Sequence, residues 1–139
     1  MPKEIIFRHQ FPITIRWGDM DAYQHVNNTL FFRYLESARF AYFEQYVLPL
    51  IGGKIPMIVL AEMQCKFEAE IVYPAELVVK SKISRLGRSS FDVYAEIWNA
   101  GKRCAQSTAV MVWLNPESKR PEAVPEIVAQ AIRALEHLA

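Results

Sequence analysis

Cysteine is scarce in this chain: Cys65 and Cys104 occur without any CxxC spacing. A disulfide framework or a zinc site therefore has no support, and buried free thiols are expected. Long apolar runs are missing too. No stretch reaches the roughly 18 apolar residues of a membrane span, and the N-terminus, MPKEIIFRHQ, lacks the apolar core of a signal peptide. A cytoplasmic protein with no membrane insertion is the expectation. Net charge is nearly absent, at +1, which removes any global attraction to nucleic acid and leaves phosphate contacts to a local patch. There is no internal repeat and no low-complexity segment. What remains is an ordinary globular composition, 52% hydrophobic and 22% charged over 139 residues. That suits one domain, 1–139, with a core of its own.

The rest of the chain is organised around Trp17 to Glu44, WGDMDAYQHVNNTLFFRYLESARFAYFE. Two carboxylates, Asp19 and Asp21, a histidine and two asparagines precede a run free of glycine and proline until Pro49. This reads as a polar loop feeding a helix, with Asn27 as the N-cap that accepts from a first-turn N–H. Phe31, Tyr34, Leu35, Ala38, Tyr42 and Tyr46 share one helical face, while Arg33, Glu36, Ser37 and Glu44 favour another. Phe32, Phe40 and Phe43 blur that division. Seven aromatics fall between Phe31 and Tyr46, so a central helix buried around much of its circumference is expected. Glu36 and Arg39, three apart, suit an intrahelical ion pair.

Before that helix, Phe7 to Trp17 alternates as a strand, and Pro12 argues for an edge or a strand start. After it, Pro49, Gly52 and Gly53 break the pattern and a second strand begins near Pro56. There Ala61, Met63, Cys65, Phe67 and Ala69 point one way and Glu62, Gln64, Lys66, Glu68 and Glu70 the other, until Pro74. Leu77–Leu86, Ser89–Asn99 and Lys102–Asn115 read as three antiparallel strands joined by short turns at Gly87 and Gly101. Pro125 opens a C-terminal helix with an apolar stripe of Ile127, Val128, Ala131, Ile132, Leu135 and Leu138. The class is α+β: one antiparallel sheet about one long helix, with a terminal helix.

The run Asp21-Ala22-Tyr23-Gln24-His25-Val26-Asn27-Asn28, followed by Tyr34-Leu35-Glu36 and Ala38-Arg39, resembles the signature of hotdog-fold acyl-CoA thioesterases of the 4-hydroxybenzoyl-CoA thioesterase family. Val72-Tyr73-Pro74 and Leu86-Gly87-Arg88-Ser89-Ser90-Phe91 resemble later landmarks of that family, in its order. The resemblance implies a hotdog fold and hydrolysis of a coenzyme A thioester without metal or organic cofactor. It also implies a homodimer or homotetramer with sites at subunit boundaries. Asp21 matches the family's catalytic carboxylate, as general base or nucleophile. Related hotdog enzymes place a glutamate on the helix, which keeps Glu36 in reserve.

The chemistry agrees with that implication. A thioester carbonyl needs a group that attacks it or activates water, and donors where its oxygen becomes negative. A carboxylate ahead of a helix N-terminus supplies both, with the backbone N–H of Asn28 as the expected donor. An isolated aspartate in such a loop more often caps a turn; Asp19 keeps that reading. His25 is expected to hold the loop against the helix start by hydrogen bonding. Arg85, Arg88 and Ser89 flank a hairpin turn with no acid between Glu76 and Asp92, and suit the phosphates of an acyl-CoA substrate. Two alternatives stay open: a non-catalytic module that binds acyl-CoA or an acyl carrier, and a hotdog dehydratase, which the histidine and acid spacing disfavours. No nucleic-acid motif accompanies the basic residues.

Overall fold

The computed structural model describes residues 4–139. Five strands, β1 (His9–Thr14), β2 (Met57–Phe67), β3 (Glu76–Leu86), β4 (Ser90–Asn99) and β5 (Lys102–Leu114), form one antiparallel sheet in the order β1-β3-β4-β5-β2. The helix α1 (Asn28–Tyr46) connects the two edge strands, β1 and β2, and lies across one face of the sheet on β1, β3 and β4. The helix α2 (Glu126–Glu136) packs against β3. This is the α+β hotdog fold.

Local chemistry accounts for the framework. The β4–β5 turn places Ala100 at φ 50° and Gly101 at φ 79°, two consecutive left-handed residues that match the twist of a tight hairpin. Pro12 lies on an edge strand opposite Val78, where a missing N–H costs little. Asn27 caps α1 by accepting from Thr29 N–H at 2.9 Å.

The core has two lobes. Phe31, Leu35 and Ala38 meet Leu77, Val79 and Ile97 near the start of α1. Tyr42, Phe43 and Val47 meet Ile83, Phe91 and Val93 near its end. Each large apolar side chain buried there stabilises the fold by about 1.5–3 kcal/mol.

Several expectations need correction. The first strand stops at Thr14, and Trp17 begins a short 3-10 turn with its side chain largely exposed. The helix is buried on one side only: Phe32 and Phe40 are exposed, whereas Arg39 is buried, because the sheet covers α1 from the β1 side and leaves the β2 side open. The Glu36–Arg39 pair does not form; Glu36 accepts from Arg33 at 3.0 Å instead. In β2 a bulge between Leu60 and Glu62 shifts the parity. Ile58 and Leu60 line the cleft beside α1 before it, Met63 and Cys65 pack on the core after it, and Ala61 is exposed. Phe67 ends the strand half uncovered, its ring against Phe31 and Phe32, and the residues up to Pro74 lie outside the strand. In α2 the buried set is Val128, Ala129, Ile132 and Glu136, while Ile127 is exposed. Of the free thiols, Cys104 is buried and Cys65 half-buried; burial, reinforced by the charge of Glu68, pushes Cys65 up to about 11.

Candidate active site

Residues 19–28 form a compact loop whose backbone is tied at both ends. Met20 and Val26 bridge, Asp21 N–H donates to the His25 carbonyl at 3.0 Å, and Gln24 N–H donates to the Asp21 carbonyl at 2.9 Å. Gln24 closes the turn at φ 67°. Val26 N–H donates to the Ile71 carbonyl at 2.8 Å and Asn27 N–H to that of Asp19 at 3.0 Å, which seats the loop between the helix start and the chain that follows β2.

The two aspartates have different surroundings. Asp19 Oδ2 accepts from the Tyr34 hydroxyl at 2.6 Å and from Arg16 N–H at 3.0 Å. It anchors the loop to α1, a stronger role than the simple turn expected of it. Burial, then the hydrogen bond and charge of Asp19, hold the Tyr34 hydroxyl well above the ordinary tyrosine range. Asp21 Oδ1 accepts from Tyr23 N–H at 2.9 Å; among the described residues its other oxygen has no hydrogen-bond partner.

Beside this loop opens a cleft of about 310 Å³, lined by His25, Val26, Asn28, Phe31, Phe67 and residues 68–70. Asn28 is the first residue of α1, and among the described residues its N–H has no partner, as the first N–H groups of a helix do not. His25 Nε2 lies 2.8 Å from Glu70 Oε2. Sequence reasoning missed Glu70, which sits on what reads as a solvent-facing row. Glu68 is spoken for: Arg103 donates to it at 2.8 and 3.0 Å and holds its carboxyl below the usual range. Among the described residues no cluster of three or more metal-ligating side chains occurs, and no helix is long and apolar enough to cross a membrane.

The basic hairpin lies elsewhere. Leu77 belongs to the core lobe at the start of α1 and Phe91 to the lobe at its end, so Arg85, Arg88 and Ser89 stand about 30 Å along β3 from the Asp21 end of the sheet. One chain does not bring them to Asp21, Asn28 and His25. Arg85 is engaged by Asp92 at 2.9 Å and by the Ser90 hydroxyl at 3.1 Å. The Arg88 side chain is exposed.

The fold, with a cleft at a helix start flanked by carboxylates, is that of the hotdog thioesterase class. The family model described as the thioesterase-like superfamily matches residues 15–132, and the chain belongs to that superfamily. A thioesterase from Thermus thermophilus, crystallised with coenzyme A and zinc, is 34% identical, with a TM-score of 0.83 over 94% of this chain and 96% of its own. The PA2801 protein of Pseudomonas aeruginosa is 33% identical, with a TM-score of 0.81 over 91% and 99%. The uncharacterized protein YsmA of Bacillus subtilis (strain 168) is 30% identical over 76% of this chain and 72% of its own.

Proposed function

We propose that the protein hydrolyses acyl-CoA thioesters to a free acid and coenzyme A. The observation that carries this reading is that Asn28, the first residue of α1, lines the cleft beside the Asp21 loop with its N–H unpartnered among the described residues. The coenzyme A bound to the 34%-identical Thermus thermophilus thioesterase supports the choice of thioester. In the step proposed, the carbonyl oxygen sits against Asn28 N–H, whose dipole-assisted donation stabilises the developing oxyanion. Asp21 takes a proton from water as the new C–O bond forms and passes it to the departing sulfur; if Asp21 attacks directly, water then hydrolyses the mixed anhydride it has formed, which restores the carboxylate and supplies the proton of the thiol. Collapse of the intermediate breaks the C–S bond, and the departing coenzyme A sulfur ends as a thiol. The test is thiol release from a panel running from short to long aliphatic acyl-CoAs and benzoyl-CoA. Tight binding of the whole panel without turnover favours the non-catalytic module, and hydration of crotonyl-CoA without thiol release favours a dehydratase.

A second reading of the base rests on His25 and Glu70, which line the cleft whereas Asp21 does not. Here we assign His25 to positioning, with Glu70 orienting its ring. Glu70→Gln and His25→Gln are each expected to lower kcat about tenfold, well short of the loss for Asp21→Asn. A larger loss than that of Asp21→Asn in either variant transfers the base to the histidine.

Pairing of two copies supplies what one chain lacks. Antiparallel docking of two β2 edges covers an 11-residue strand with an open side and sets the hairpin end of one copy beside the helix start of the other. A homodimer, or a tetramer built from two, with Arg88 reaching the phosphates bound at the other copy's site, follows. Arg88→Ala is expected to raise KM for acyl-CoA about tenfold with little change for an acyl-pantetheine lacking the nucleotide. Equal changes for both substrates remove Arg88 from phosphate recognition, and sedimentation of an active monomer at assay concentration refutes the pairing.

A further inference from the structure

Arg39 is only 7% exposed, yet among the described residues its guanidinium makes no hydrogen bond and no ion pair. Its nearest acid, Glu36, is turned to Arg33 at 3.0 Å. A guanidinium this enclosed is normally matched by a carboxylate; the Arg39 nitrogens instead meet solvent through the clefts that the residue lines. Burial accordingly lowers Arg39 from its ordinary value, opposed by the charge of Glu36.

Arg39 lines two adjoining clefts along the open side of α1. One, of about 470 Å³, runs from Thr29 past Phe32 to Leu60 and Met63. The other, of about 260 Å³, is walled by Phe40, Phe43, Ile55, Ile58 and Met111. Phe32 and Phe67, with ring centroids 6.0 Å apart, stand between these clefts and the Asn28 cleft. Both rings are partly exposed, so the route from the Asn28 cleft to Arg39 runs over their exposed faces, between α1 and β2. From Asn28 to Arg39 that path follows about 16 Å of helix. The arginine side chain leans back toward the helix start, which shortens the reach.

Resting on the thioesterase reading, we propose that this path receives the acyl group and that Arg39 is a specificity residue for a carboxylate at its far end. The substrate class is then the coenzyme A half-thioester of a medium-length dicarboxylic acid. The apolar walls accommodate the methylenes, and the guanidinium supplies the charge-assisted, bidentate partner that a carboxylate fits. A short acyl group does not span the distance, and a simple fatty acyl chain leaves Arg39 unmatched.

The test compares S-octyl-coenzyme A with its ω-carboxylate counterpart. Both are thioethers that cannot be hydrolysed, so calorimetry reads binding without chemistry. Wild-type protein is expected to bind the carboxylate form at least tenfold more tightly. Arg39→Met is expected to abolish or invert that preference while unfolding at an unchanged or higher urea concentration, since it breaks no hydrogen bond or ion pair among the described residues. Arg39→Lys should keep part of it. Equal binding of the two thioethers by wild-type protein overturns the proposal. So does dissociation of the assembly by Arg39→Met, which makes a second copy the partner of Arg39. Failure of hydrolysis is a separate outcome: discrimination with no turnover of any acyl-CoA keeps the anion site and removes the thioesterase reading, whereas turnover without discrimination does the reverse.

Discussion

Asp21→Asn is expected to lower kcat for the best acyl-CoA by at least two orders of magnitude, about 3 kcal/mol of transition-state stabilisation. KM should change little. The substitution keeps the size of the side chain and the oxygen that accepts from Tyr23 N–H, so the turn survives, but the charge needed to attack or to take a proton from water is gone. Among the acids around the helix start in the described residues, Asp21 is the one held by a single backbone N–H of its own turn and by no side chain. Asp19 accepts from Tyr34 and Arg16 through one oxygen, Glu68 is clasped by Arg103, and Glu70 faces His25. The comparison is Asp19→Asn, which weakens the loop's anchor on Tyr34 and should show mainly as a lower urea midpoint. Steady-state kinetics with both variants decides the matter. Near-normal turnover in Asp21→Asn, together with loss in Asp19→Asn or Glu36→Gln, removes Asp21 from the catalytic role.

How far these residues could be recognised beforehand depended on whether their partners were local. Asn27 caps α1 as expected because capping reads only the next two or three residues. β3, β4 and β5 emerge nearly at their expected bounds, since clear alternation and short turns leave little freedom of register. That same register places Arg85 directly opposite Asp92, a signal available from the hairpin alone that would have assigned Arg85 to a cross-strand pair. Glu70 was hidden by its position in an alternating acidic row: its partner, His25, lies on the far side of α1 in sequence. Arg39 was hidden for a different reason. A charged residue on a helix reads as a solvated face, and only the open side of α1, beside an edge strand, shows where its guanidinium goes. The bulge in β2 left no mark beyond one alanine, Ala61, and it reversed which residues face the cleft.

The buried carboxylate of Glu136 was equally unannounced, and its removal carries the largest expected effect on stability. Glu136 is 6% exposed and accepts from the Tyr42 hydroxyl at 2.7 Å and from Ile83 N–H at 2.8 Å. It therefore joins α2 to the last turns of α1 and to β3. Burial, with the charge of Glu136, holds Tyr42 far above the ordinary tyrosine range, in keeping with a hydroxyl that donates to the carboxylate. Glu136→Ala leaves two buried donors unmatched, each costing about 1–3 kcal/mol, for a total loss of roughly 3–5 kcal/mol. In a protein of this size that is a large share of the roughly 5–15 kcal/mol available. Glu136→Gln retains an acceptor oxygen and should cost about 1–2 kcal/mol. Tyr42→Phe alone should also destabilise, but placed in the Glu136→Ala background it removes one orphaned donor and should restore part of the loss. Urea unfolding of the four proteins in this cycle measures the coupling. Additive losses, or a cost under about 1 kcal/mol for Glu136→Ala, show that water reaches these donors and that the carboxylate does not join α2 to the core.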